Sequence, residues 1–166
     1  NKKQQDTAQQ SFNYLLNLLF DEDQFKVISN QTWYAPGQEL SFDGQQPIDV
    51  SYTILALATF YQITKIKSYL LQMKIAFDWY LGNNTLNQIV YNPISGGCLD
   101  GLEANEVNIN QGAESTVTYL MARNRMEVYF SEKSPNLIPQ IPLTLQSSTY
   151  DSFRNLQTQK STSAQR

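Results

Sequence analysis

Gly96-Gly97-Cys98-Leu99-Asp100-Gly101-Leu102, followed after four residues by Val107-Asn108-Ile109-Asn110-Gln111-Gly112-Ala113-Glu114-Ser115-Thr116, decides how the rest of this chain is read. Glycines let a backbone bend, or approach a neighbour, where a side chain would block it. Amides, hydroxyls and carboxylates then crowd into a segment that passes directly into apolar residues at helical spacing. The spacing predicts a helix from about Gly112 to Tyr129, with Val117, Leu120 and Met121 on its buried side. A polar loop mounted on a rigid helix is the usual support of a binding or catalytic site.

Working outward, Ile66, Tyr69, Leu70, Met73, Phe77 and Tyr80 repeat the helical period until Gly82 supplies a stop. The helix before it begins at Pro47, whose missing donor costs nothing in a first turn, and carries Ile54, Leu57, Ala58 and Tyr61. Only Gln62 to Lys65 separates the two, so they form an antiparallel hairpin. A first helix carries Phe12, Leu15, Leu16 and Leu19. Asp6 or Thr7 caps it, Gln9 or Gln10 completes a capping box, and it ends near Asp21. Residues 22–46 lose the period. Val27-Ile28 and Trp33-Tyr34 read there as short extended pieces, and Ala35-Pro36-Gly37 as a turn. Residues 83–111 form a second long connection, with a short strand at Gln88 to Tyr91. Beyond Ser131, three prolines and a Ser/Thr/Gln tail from Gln146 predict a loosely ordered segment. The expected organisation is a helical domain over 1–130 and this segment over 131–166.

Composition narrows the chemistry. The chain of 166 residues has a net charge of −3 and no basic run longer than Lys2-Lys3, so the footprint of a nucleic-acid binder is missing. Its apolar runs fall short of the ~20 residues of a membrane span. No signal-peptide pattern opens it, which with a single cysteine points to the cytoplasm. Cys98 alone forms neither an internal disulfide nor a cysteine cluster for zinc. Without any histidine, Ser-His-Asp and Cys-His catalysis and His-ligated metals are excluded from what this chain does unaided. Carboxylates, tyrosines and amides remain, and neither metal nor cofactor is expected.

If the helices alternate up and down, both long connections lie at one end and the tight turn at 62–65 at the other. The second and fourth helices then present their N-termini among the long loops. That face collects Gln45, Gln46, Asp49, Asp100, Asn108, Asn110, Gln111, Glu114 and Ser115, and the site is expected there.

Gly44-Gln45-Gln46-Pro47-Ile48-Asp49, Ala76-Phe77-Asp78-Trp79-Tyr80-Leu81-Gly82, the two quoted stretches and Tyr119-Leu120-Met121-Ala122 together resemble the C-terminal end of a bacterial helical domain. That domain occurs in carbohydrate-active proteins, often after a group 1 glycosyltransferase module, and is similar to the (α/α) toroid of six-hairpin glycosidases. The resemblance covers roughly Ser11 to Tyr129. It implies an all-α fold of antiparallel hairpins forming part of a toroid, with the second and fourth helices on the inside and a sugar-sized cleft at their N-terminal ends. The partners it implies are an oligosaccharide or glycoside, and either a glycosyltransferase module or a second copy covering exposed helix faces. Asn83-Asn84-Thr85 stands where the family usually has an Asn-Asp pair. A complete toroid has many more helices, so the chain reads as the last part of a larger domain.

Each site residue has two readings at this stage. Asp49 and Glu114 fall in first helical turns, where the macrodipole stabilises a carboxylate by ~0.3–1 kcal/mol. With Asp100 they are equally the carboxylates that acid/base glycosidic chemistry needs. Asn108, Asn110, Gln111 and Ser115 either satisfy the free amides of a helix start or bind hydroxyls. Gln45 and Gln46 are read as ligand contacts, and Trp33 and Tyr34 as stacking surfaces. Trp79 is assigned to the core, and Cys98 to a small buried residue. The functional alternatives are a glycan-active domain, a non-catalytic glycan-binding or interaction module, and a truncated remnant without activity.

Overall fold

The computed structural model describes residues 1–32 and 34–130, all within one unit, Asn1–Phe130. The expected Pro-containing segment and tail over 131–166 lie outside the described residues, as does Trp33. Four helices are present, α1 (Lys2–Leu19), α2 (Pro47–Thr64), α3 (Ser68–Asp78) and α4 (Ala113–Phe130), with a 3-10 turn at Trp79–Leu81. Two antiparallel hairpins join them: β1 (Phe20–Asp21) with β2 (Gln24–Phe25), and β3 (Gly101–Leu102) with β4 (Val107–Asn108).

This corrects the all-α toroid expectation. The described residues are about 53% helical and carry two small sheets, and the four helices do not make a clear toroid. Two-residue strands show no alternation that a periodicity argument could detect, so the hairpins were invisible in advance. The extended segment expected at Gln88 to Tyr91 reduces to a single bridge between Tyr91 and Cys98. No helix among the described residues is long and apolar enough to cross a membrane.

Helix ends follow local chemistry. The side chain of Asn1 accepts from the Lys3 amide, so α1 starts a turn and more before the expected Asp6 or Thr7 cap. α2 stops where Lys65 adopts a left-handed conformation, φ 61°, and its amide returns to the Tyr61 carbonyl. Gly82, φ 107°, ends the 3-10 turn after α3 as expected of a C′ glycine.

α2 is central and packs on both α3 and α4. At one end Phe12 of α1 stacks on Phe60 of α2 with centroids 4.3 Å apart, and Tyr69 of α3 closes the group. At the other, Trp79, Tyr80, Tyr119, Tyr91 and Phe77 form a continuous aromatic cluster with neighbouring centroids 4.6–6.1 Å apart. Trp79 and Tyr80 are fully buried. Each aromatic ring removes on the order of 150–250 Å² from water, about 4–6 kcal/mol at most.

The α4 stripe is a second correction. Val117, Leu120 and Met121 are 55%, 49% and 40% exposed, and the buried side is Ser115, Thr118, Tyr119, Ala122 and Met126. α4 reaches α2 through small and polar residues: the Ser51 hydroxyl donates to the Thr118 carbonyl at 2.8 Å. The ring of Tyr119 fixes the rotation of the helix by stacking on Tyr91. Aromatic stacking and close approach of small residues therefore outweighed the aliphatic stripe.

Candidate functional site

The two long connections are stitched together at the N-terminal ends of α2 and α4. Gln45, just before α2, exchanges both backbone hydrogen bonds with Leu102 of β3, at 2.8 and 2.9 Å. Gly101 makes that approach possible. With φ +142° it tolerates a conformation other residues rarely adopt, and a Cβ there would lie 2.1 Å from the Gln45 carbonyl oxygen. The β3–β4 hairpin then returns through Asn108, and Asp100 turns the chain onto α4.

Asp100 is the joint between hairpin and helix. Its amide donates to the Asn110 carbonyl at 2.8 Å and to that of Asn108 at 3.1 Å. Its Oδ1 accepts from the Gly112 amide at 2.8 Å and from the Ser115 hydroxyl at 2.7 Å. Asp100 thus satisfies one of the free donors at the start of α4 from a distant loop, in place of a local N-cap side chain. Gly112 has no room for a side chain, because a Cβ would lie 2.7 Å from this same carboxylate oxygen.

The result is a cavity of about 300 Å³, the low end for small-molecule sites. Asp100, Glu103, Asn108 and Glu114 line it together with Gln46, Asn30, Gly44 and residues 112, 113 and 115. The walls combine carboxylates, amides and the N-terminal end of α4, so they offer acceptors and donors side by side. Among the described residues no lysine or arginine lines it. Among the described residues no group of three or more Cys, Asp or Glu could hold a metal ion, so these carboxylates do not converge as ligands.

The expected site residues divide. Gln46, Asp100, Asn108, Glu114 and Ser115 come together at this cavity, although Ser115 is buried and its hydroxyl is committed to Asp100. Gln45 borders the cavity, but its side chain is structural, which corrects its reading as a ligand contact. It is 1% exposed; its Oε1 accepts from the Trp79 indole at 2.8 Å, and its Nε2 donates to the Phe42 carbonyl and the Thr85 hydroxyl, both at 2.7 Å.

The other described candidates do not line the cavity. Asn110 contributes its backbone to the Asp100 joint, and Gln111 accepts from the Ser95 hydroxyl at 2.5 Å on the neighbouring loop. Tyr34 lies with its hydroxyl 3.5 Å from that of Tyr14. Asp49 stays exposed as a residue, yet the protein packed around its carboxyl, and after that the charge of Glu114, push its pKa above the usual carboxylate value. Cys98 is fully buried, and burial, with a smaller contribution from Asp100, pushes its thiol up to about 12. It is no nucleophile at neutral pH.

Glu103, Asn30 and Gly44 are the lining residues that sequence reasoning missed. Glu103 accepts from the Gln31 side chain at 3.0 Å across the two long connections. The signal for it existed: it is a carboxylate three residues after Asp100 in the densest polar stretch.

No protein-family model matches this chain, and no curated protein matches it either.

Proposed function

We propose that this end of the molecule binds a saccharide in the cavity between the N-termini of α2 and α4. The observation that carries the reading is a cavity lined by the acceptors Asp100, Glu103, Glu114 and Asn108 together with the first residues of α4, whose amides are helix-start donors. A polyol needs both on adjacent hydroxyls. The motif resemblance, drawn from carbohydrate-active proteins, supports a sugar as the polyol. The test is an amide NMR titration with a panel of short oligosaccharides. Shifts confined to the lining residues, Asn30, Gly44, Gln46, Asp100, Glu103, Asn108 and residues 112–115, support the reading; unchanged spectra, or shifts elsewhere, sink it.

A catalytic role is the second reading, favoured by the pair Asp49 and Glu114. Carboxyl groups whose surroundings push one of them toward its protonated form are the arrangement of a general acid beside a base. If the pair acts in this way, Glu114→Gln abolishes hydrolysis of an aryl glycoside while leaving saccharide binding measurable. If no glycoside in such a panel is turned over by the unaltered protein, binding is the whole activity.

A further inference from the structure

We infer that a second copy of this chain docks on the outer face of α2 and α4, an inference independent of the saccharide reading. α2 is where the argument from composition starts. From Pro47 to Thr64 this helix carries one charged residue, Asp49 in its first turn, so beyond that turn it is uncharged around its whole circumference. A helix that is apolar on all sides belongs in an interior. Only one side of α2 has one: Val50, Ile54 and Leu57 are fully buried, while Tyr52 and Ile63 are more than half exposed.

The exposed sides of α2 and α4 make one surface. Ser51 donates to the Thr118 carbonyl, and ten residues on Tyr61 meets Tyr129 edge to face, so the two helices lie side by side and parallel. α2 turns Tyr52, Thr59 and Ile63 outward, and α4 turns Val117, Met121 and Val128 outward. At ~100° per residue both sets fall on the same side of the Ser51–Thr118 contact. α3 packs on the opposite, buried side of both helices. Val117 and Val128 are more than half exposed and Met121 two-fifths. None of these six residues is charged. An exposed strip two helices wide, rich in aliphatic, aromatic and methionine side chains and empty of charge, has the composition of an interface core.

Size and charge together select the occupant. Each helix has 18 residues, about 27 Å of length, and two packed helices are about 20 Å across. The outer face is therefore on the order of 500 Å² in flat projection, and a second copy laid on it buries roughly 1,000 Å² or more in total, the size a specific interface has to reach. A face without charges has no means of selecting a different protein by complementary charge. It does meet the condition for contact across a two-fold axis, where each residue faces the same patch on the other copy and like charges would oppose one another. A lipid surface is the poorer match, because helices that lie on membranes carry Lys and Arg along their polar side, whereas α2 has none and the chain is net negative.

The experiment is sedimentation equilibrium of the full chain from about 1 to about 200 μM, the range that brackets an interface at the small end of the specific class. The mass of one chain is expected at the lowest concentration and twice that mass at the highest, with no weakening as salt is raised. Tyr52→Glu and Met121→Glu each place a charge on the face in both copies and are expected to weaken association about a hundredfold. Leu71→Glu, at a residue equally exposed on α3, is expected to leave it unchanged. All three positions are exposed, and far-UV circular dichroism of each variant checks that the helices are intact. A chain that keeps the single-copy mass throughout overturns the inference. So does a dimer that either Tyr52→Glu or Met121→Glu leaves untouched, because the contact then lies outside the two-helix face.

Discussion

Gln45 and Gln46 are neighbours in sequence at the same edge of the same cavity, and the fold uses them in opposite ways. The amide of Gln45 is fully engaged, holding the Trp79 indole, the Phe42 carbonyl and the Thr85 hydroxyl at once, with its backbone paired to Leu102. Gln46 precedes α2 and makes no side-chain capping bond, although it stands at the N-cap position. The contrast extends across the whole site. Behind the cavity lies a closed polar and aromatic frame; in front lie Gln46 and Glu114, whose side chains make no hydrogen bond among the described residues, beside Asp100, Glu103 and Asn108, each of which has one side-chain oxygen engaged. A protein that leaves acceptors open on a cavity wall while closing them a few ångströms behind it has separated support from contact.

Replacing one glutamine at a time tests this separation most strongly. Gln45→Leu keeps the volume but leaves the Trp79 N–H, the Thr85 hydroxyl and the Phe42 carbonyl without their partner. Unsatisfied buried groups cost about 1–3 kcal/mol each, only partly additively, so a loss of about 3 kcal/mol in urea unfolding is expected. Gln46→Ala is expected to change stability by no more than about 0.5 kcal/mol. Equal losses from the two would break the distinction between frame and contact surface.

The joint between frame and surface is Asp100, and its effect is intermediate. Asp100→Ala removes the acceptor for the Gly112 amide and the Ser115 hydroxyl, a lost helix cap worth about 1–2 kcal/mol. Asp100→Asn retains an oxygen for those donors and is expected to lose less than half as much stability. Thermal unfolding of the two variants separates capping from charge. If they are equally destabilised, the negative charge rather than the hydrogen bonds holds the start of α4.

The same contrast explains what could be read from the chain beforehand. The four helices were legible because each repeats apolar residues over several turns, and the long connections were legible as gaps in that period. Their meeting at the N-termini of α2 and α4 followed from connection lengths alone, and it brought Gln46, Asp100, Asn108 and Glu114 to one place. The two hairpins were not legible, because two-residue strands have no period, and β3 is further held by Gly101 and Leu102 meeting Gln45, a residue distant in sequence. The rotation of α4 was misread for a related reason. Periodicity finds a stripe, but whether that stripe faces in or out depends on the partner, and here Tyr91 and Ser51 chose the opposite side. Gln45 was misassigned because an amide beside a site and an amide beneath it look the same in a sequence.

Asp49 gives the smallest effect and the finest test of where the frame ends. Its pKa is raised above the usual carboxylate value, first by burial and then by Glu114, even though a helix first turn favours a charged carboxylate. The folded protein therefore holds this proton at pH values where the unfolded chain has released it. Between the two pKa values the native state binds more protons, so the contribution of Asp49 to stability falls as the pH rises from the usual carboxylate value through the raised one, and is constant above it. Asp49→Asn removes that dependence. In paired melting curves from about pH 3 to 7, the wild-type melting temperature should decline relative to the variant across this window and then run parallel to it. A variant less stable than wild type at pH 7 would mean that the helix dipole outweighs burial and the Glu114 charge, and would return Asp49 to a purely capping role.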